Sequence, residues 1–134
     1  MGQYMVLRTA QGGVCLHLHR GMDVYNRVFL KNATNLFHDP FYTSTDILAA
    51  FSRYVAEIVK RYANEPSVLG SSLSYVVMIA VLTSSKGWEI ANDPRCASSL
   101  PAANGCTTQT ITKWTASVAS VVKQNDPNHL VSSG

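Results

Sequence analysis

The chain has 134 residues, of which 46% are hydrophobic and 14% charged, with a net charge of +3. That balance is globular and excludes a disordered chain, which needs more charge and fewer apolar residues. The basic residues are scattered, with Lys60 and Arg61 the sole adjacent pair, so the dense stripe of a nucleic-acid groove is missing.

In chain order, Met1 to Arg20 comes first. Polar and charged residues interrupt it, so it lacks the apolar core of a signal peptide. Cys15, His17 and His19 suggest a metal at first sight, but no carboxylate or further ligand flanks them. They are read as coincidence, with no metal site. Asn32-Ala33-Thr34 is an N-glycosylation sequon on Asn32 and hints at secretion.

The segment from Thr45 to Ala63 is predicted as a helix. Ile47, Phe51, Tyr54, Val55, Ile58 and Tyr62 recur at three- and four-residue steps and share one face. Ser44 or Thr45 can cap its start, Asp46 suits the positive end of the helix dipole, and Lys60 and Arg61 suit the negative end. Pro66 ends it. Two apolar runs follow, 67–70 and 88–92. The longest apolar run, Leu73 to Leu82, is too short to span a bilayer.

A second helix is predicted over 108–124, with Ile111, Trp114, Val118, Val121 and Val122 on its apolar face. Asn125-Asp126-Pro127-Asn128 stops it, and 129–132 reads as a short strand. Trp114 and Trp88 are read as core residues rather than sugar platforms, and Glu89 as a structural residue of a strand. Helix, strand, loop, helix, strand is the rhythm of a parallel α/β protein. Three cysteines are present, Cys15, Cys96 and Cys106, without a CxxC pair. The interval between the last two suits a small disulfide loop.

The segment richest in chemistry is Trp88-Glu89-Ile90-Ala91-Asn92-Asp93-Pro94-Arg95-Cys96. A strand running into Asn, a carboxylate and Pro places polar groups at its carboxyl end, the face that holds the active site in parallel barrels. This stretch resembles the W-E-L-A-N-E-P-R-C motif of the fungal mannanases of glycoside hydrolase family 5. Gly21-Met22-Asp23-Val24-Tyr25, His38-Asp39-Pro40-Phe41-Tyr42-Thr43, Arg61-Tyr62, Glu65-Pro66 and Asp126-Pro127-Asn128-His129-Leu130-Val131 are similar to further motifs of that family.

The resemblance implies part of a (β/α)8 barrel, roughly its third to fifth β/α units, over residues 21–134, with 1–20 unmatched. It implies a retaining hydrolase acting on β-1,4-mannan or a related plant cell-wall β-glycan. Such an enzyme works outside the cell, without a cofactor, nucleic-acid partner or membrane. By the same resemblance Asn92 contacts the sugar 2-hydroxyl, Asp93 stands at the acid/base position, and Cys96 pairs with Cys106.

Three departures shape the expectation. Asp93 replaces the family's Glu and is one methylene shorter. The family's nucleophile belongs to a seventh strand, which the chain does not carry. The 17 residues from Ser71 to Gly87 interrupt the pattern. Gly70-Ser71 can be encoded like a splice donor and Lys86 like an acceptor, so this insert is read as a translated intron. The expectation is therefore a catalytically inactive partial barrel, incompletely covered and prone to self-association. The alternatives are a non-catalytic carbohydrate-binding or effector-like protein, or a gene-model artefact.

Overall fold

The structure is a computed structural model that describes residues 5–8, 14–17, 21–64, 87–91 and 93–133. The apolar run 67–70, the helix exit at Glu65-Pro66 and the interruption up to residue 86 lie outside the described residues. Eight elements follow in order: β1 (Met5–Arg8), β2 (Val14–His17), α1 (Gly21–Phe29), α2 (Pro40–Thr43), α3 (Thr45–Tyr62), β3 (Gly87–Glu89), α4 (Thr108–Asn125) and β4 (Leu130–Ser132). The backbones of β1 and β2 pair antiparallel, Met5 opposite His17 and Arg8 opposite Val14. This hairpin within the unmatched first 20 residues differs from the strands of a parallel barrel.

The predicted helices form within a residue of their expected bounds. In α3 the buried line is Ile47, Phe51, Val55 and Val59, each four residues from the last. Tyr54, Ile58 and Tyr62 flank it, partly buried against the core. Val59, absent from the predicted stripe, is 2% exposed. Ser44 does occupy the N-cap, but its side chain makes no capping hydrogen bond, contrary to the sequence expectation. The capping device belongs to α4 instead. Thr107 accepts from the Thr110 N–H through its hydroxyl, and the Thr107 N–H donates to the Thr110 hydroxyl. This satisfies two backbone groups that a helix start leaves orphaned.

The core lies where α2, α3 and α4 meet. Phe41, Phe51 and Trp114 form an aromatic triad, with the Phe41–Phe51 centroids 5.1 Å apart and the Phe51–Trp114 centroids 5.9 Å apart. Trp114 and Val118, predicted as core, are 2% and 1% exposed. Burying each such side chain contributes about 1.5–3 kcal/mol.

β3 and β4 pair in parallel, Gly87 with Leu130, Trp88 with Val131 and Glu89 with Ser132. α4 connects them. A parallel pair joined by a helix is the repeating unit of a β/α barrel. Gly87, assigned by the motif boundary to the interruption, is the first residue of β3. A Cβ there would lie 3.1 Å from the Leu130 carbonyl oxygen, so a side chain would crowd the pairing. No described helix is long and apolar enough to cross a membrane.

Candidate functional site at the carboxyl end of β3

The backbone beyond β3 carries the acid/base candidate. Ile90 donates its N–H to the Ser132 carbonyl at 3.0 Å, so the pairing with β4 continues past Glu89. Ile90 and Ala91 are buried. Asn92, the expected sugar contact, lies outside the described residues. Asp93 follows with φ 52°, the one non-glycine among the described residues with positive φ. Aspartate tolerates this left-handed region better than most residues, but such a conformation persists only where its surroundings hold it. The Asp93 carboxylate is 58% exposed and pairs with the Arg95 guanidinium. An exposed pair of this kind contributes little to stability.

From Pro94 the chain enters a loop closed by the Cys96–Cys106 disulfide, with Cα atoms 5.7 Å apart. The pairing agrees with the resemblance. The loop is tied to the α1–α2 corner by four contacts. The Tyr42 hydroxyl donates to the Arg95 carbonyl at 3.0 Å. The Ser99 hydroxyl donates to Asp23 Oδ2. The Ala103 N–H donates to Asp39 Oδ1 at 2.5 Å. The His38 N–H donates to the Pro101 carbonyl at 2.8 Å. Asn26, fully buried, donates through Nδ2 to the Phe37 and His38 carbonyls at 3.0 and 2.7 Å and fixes the corner itself.

Within that corner His38 Nδ1 lies 2.6 Å from Asp23 Oδ1, and His38 Nε2 lies 3.3 Å from the Tyr42 hydroxyl. Burial pushes the Asp23 carboxyl up, but the Ser99 hydroxyl and the His38 ring outweigh it and hold the group below its ordinary value. Tyr42 is 4% exposed, and burial pushes its hydroxyl up to about 12, the nearby Asp23 and Asp39 charges adding to the effect.

A second polar cluster lies at the opposite end of the strands. Asp126, 1% exposed, accepts from Trp88 Nε1 at 2.8 Å, from His129 Nδ1 at 2.5 Å, and from the Asn128 and His129 N–H groups at 3.1 and 3.2 Å. Burial pushes its carboxyl up, and the bonds from Trp88, His129 and Asn128 together bring it below its ordinary value. The Lys123 ammonium donates to the His129 carbonyl at 2.6 Å.

The sequence motifs contain Asp23, His38, Asp39, Tyr42 and His129 without assigning them a role, and Asp126 was read only as part of a helix stop. Their signal was polar residues set among apolar ones where the chain turns. Asn32 is exposed just beyond α1, accessible for modification. The backbones of Cys15 and His17 lie in β2, and His19 lies outside the described residues. Among the described residues no group of three or more His, Cys, Asp or Glu side chains is placed to hold a metal.

No protein-family model matches the chain. A probable mannan endo-1,4-beta-mannosidase C from Aspergillus terreus is 34% identical over 119 residues, covering 85% of this chain and 24% of the relative. Mannan endo-1,4-beta-mannosidase A from Hypocrea jecorina is 33% identical over 114 residues, 85% of this chain and 20% of the relative. The crystal structure of an endo-1,4-beta-mannanase from Rhizomucor miehei superposes with a TM-score of 0.60 at 31% identity, over 82% of this chain and 28% of that one. The chain thus spans about a quarter of the length of the relatives it matches. By sequence and by fold, it is a relative of the fungal mannan endo-1,4-β-mannosidases, the family that its motifs resemble.

Proposed function

We propose that this chain is the acid/base portion of a retaining glycoside hydrolase fold that acts on β-1,4-mannan or a related plant cell-wall β-glycan. The observation that carries the reading is Asp93, exposed at the carboxyl end of a parallel β3–β4 pair, on a chain 34% identical to a fungal mannan endo-1,4-beta-mannosidase. On this reading Asp93 holds the acid/base position, and Asn92 contacts the sugar 2-hydroxyl. Residues 21–134 are then roughly the third to fifth β/α units, with an insert over 71–87.

A retaining hydrolase needs two carboxyl groups about 5 Å apart, one to protonate the leaving oxygen and one to attack the anomeric carbon. Asp93 supplies the first from a side chain one methylene shorter than Glu. A displacement of about 1 Å at a reacting group can cost a hundredfold in rate. That cost is expected to leave hydrolysis by these 134 residues below detection. The Cys96–Cys106 bridge and the exposed Asn32 sequon support an extracellular, oxidising setting.

A second reading, sugar binding without hydrolysis, is favoured by the pairing of the Asp93 carboxylate with Arg95. Purified chain incubated with β-1,4-mannan is expected to release no reducing sugar above a buffer blank. Release that Asp93→Ala abolishes would overturn the inactivity of this chain. Glycan binding without release would favour the second reading.

A further inference from the structure

The Asp93 turn is held from one buried hydroxyl, and that hydroxyl has a single proton to give. The Tyr42 hydroxyl faces two acceptors: the Arg95 carbonyl at 3.0 Å and His38 Nε2 at 3.3 Å. The Met22 sulfur, at 3.5 Å, is a weaker third. His38 Nδ1 faces the Asp23 carboxylate at 2.6 Å. An ionised carboxylate only accepts, so Nδ1 carries a proton. In a neutral His38 the Nε2 lone pair then competes with the Arg95 carbonyl for the Tyr42 proton. In a doubly protonated His38, Nε2–H donates to the Tyr42 oxygen, and the hydroxyl proton is committed to Arg95.

We propose that Tyr42 is the positioning residue for Asp93, acting through the Arg95 carbonyl, and that a second proton on His38 tightens this hold. The proposal rests on the reading of Asp93 as the acid/base position. The held carbonyl and the guanidinium that restrains Asp93 belong to one residue. Arg95 contributes its carbonyl to Tyr42 and its guanidinium to the Asp93 carboxylate, and Cys96 next to it is tied to Cys106. A left-handed aspartate is therefore restrained on its carboxyl-terminal side by one hydrogen bond, one ion pair and one covalent bridge. The hydrogen bond is the restraint whose proton His38 can also draw on.

Among the described residues the ionisable groups near His38 come from α1, the α2 corner and the disulfide loop. α1 presents Asp23, with Arg27 acting on that carboxylate. α2 and the residue before it present Tyr42 and Asp39, and Asp39 is engaged by the Ala103 N–H. The disulfide loop presents the Ser99 hydroxyl to Asp23. Trp114 of α4 packs on the Tyr42 ring and brings no charge.

The test is hydrogen–deuterium exchange of the whole chain at low micromolar concentration. The His38 titration is followed by exchange at its own ring C2–H. Amide protection over 93–98, corrected for the intrinsic rate, is expected to rise about fivefold as His38 takes its second proton, the effect of one ordinary net hydrogen bond. In Tyr42→Phe the rise is lost while His38 still titrates and α4 keeps its protection. Protection that ignores the His38 titration in the wild type overturns the proposal, as does a Phe variant that keeps the rise. If the variant loses α4 protection, the wild-type pH series decides alone. Mannohexaose added to the wild type tests the underlying reading separately. No added protection over 93–98, with the His38 coupling intact, refutes a sugar-facing Asp93 and leaves Tyr42 as holder of that turn.

Discussion

Two aspartate–histidine pairs hold the ends of the β3–α4–β4 unit, and they are built differently. Asp126 and His129 are three residues apart, and the pair closes the turn between α4 and β4. Among the described residues its distant partner is the Trp88 indole. Asp23 and His38 are 15 residues apart, and they gather α1, α2 and the disulfide loop. Among the described residues the Asp126 carboxylate, 1% exposed, receives four bonds, whereas that of Asp23, 14% exposed, receives two. The deeper cluster lies away from the carboxyl ends of the strands, where a barrel places residues that serve stability. The shallower one supports the loop at the carboxyl end, the face that holds the active site in β/α barrels. The contrast teaches that similar residue pairs serve different purposes according to which end of the strand they brace.

The largest effect is expected from Asp126→Ala. It leaves the Trp88 indole, the His129 ring and two backbone N–H groups without their acceptor, and should cost about 3–5 kcal/mol in denaturant unfolding. Because the folded carboxyl titrates below its unfolded value, the stability from Asp126 is fully present above about pH 4 and is lost as pH falls through the lower, folded value. The variant should therefore show a flatter acid limb. A cost below about 1 kcal/mol would erase the distinction between the two clusters.

A smaller effect is expected when Cys96 and Cys106 are both replaced by Ser. Closing a loop of this size contributes about 2–3 kcal/mol. Hydrogen exchange should show the loss concentrated in 93–107, with the α4–β4 turn unchanged. Equal loss at both ends would mean that the two regions are coupled rather than separate.

The smallest effect belongs to Tyr42 at neutral pH, where Tyr42→Phe removes one hydrogen bond worth about 1 kcal/mol. Its signature lies in alkali. The folded hydroxyl titrates at about 12, against about 10 in an unfolded chain. Its stabilisation is complete below pH 10 and is lost as pH rises towards 12. Thermal melts from pH 9 to 12 should fall less steeply in the Phe variant. An unchanged slope would show that burial of Tyr42 is looser than its packing indicates.

The amphipathic elements were legible in the sequence because they depend on neighbours in the chain. The four-residue spacing of Ile47, Phe51 and Val55, and the Trp114-Val118-Val122 series, mark one face of a helix wherever the rest of the protein lies. The Asp126-Pro127-Asn128 stop is likewise local: the carboxylate of Asp126 accepts from backbone N–H groups two and three residues on. The bridge between Cys96 and Cys106, ten residues apart, was within reach of spacing and motif together. Tertiary structure alone decided the rest. Asp23, His38 and Ser99 stand 15 and 61 residues apart along the chain, and no periodicity relates them. Their meeting depends on how α1 and α2 pack against the loop after β3. The same holds for Tyr42 and Arg95, 53 residues apart, and for the left-handed backbone of Asp93. A motif could place a carboxylate at the end of a strand, but its direction depends on contacts that form only when distant segments pack, because side-chain hydrogen bonds reach only about 3 Å.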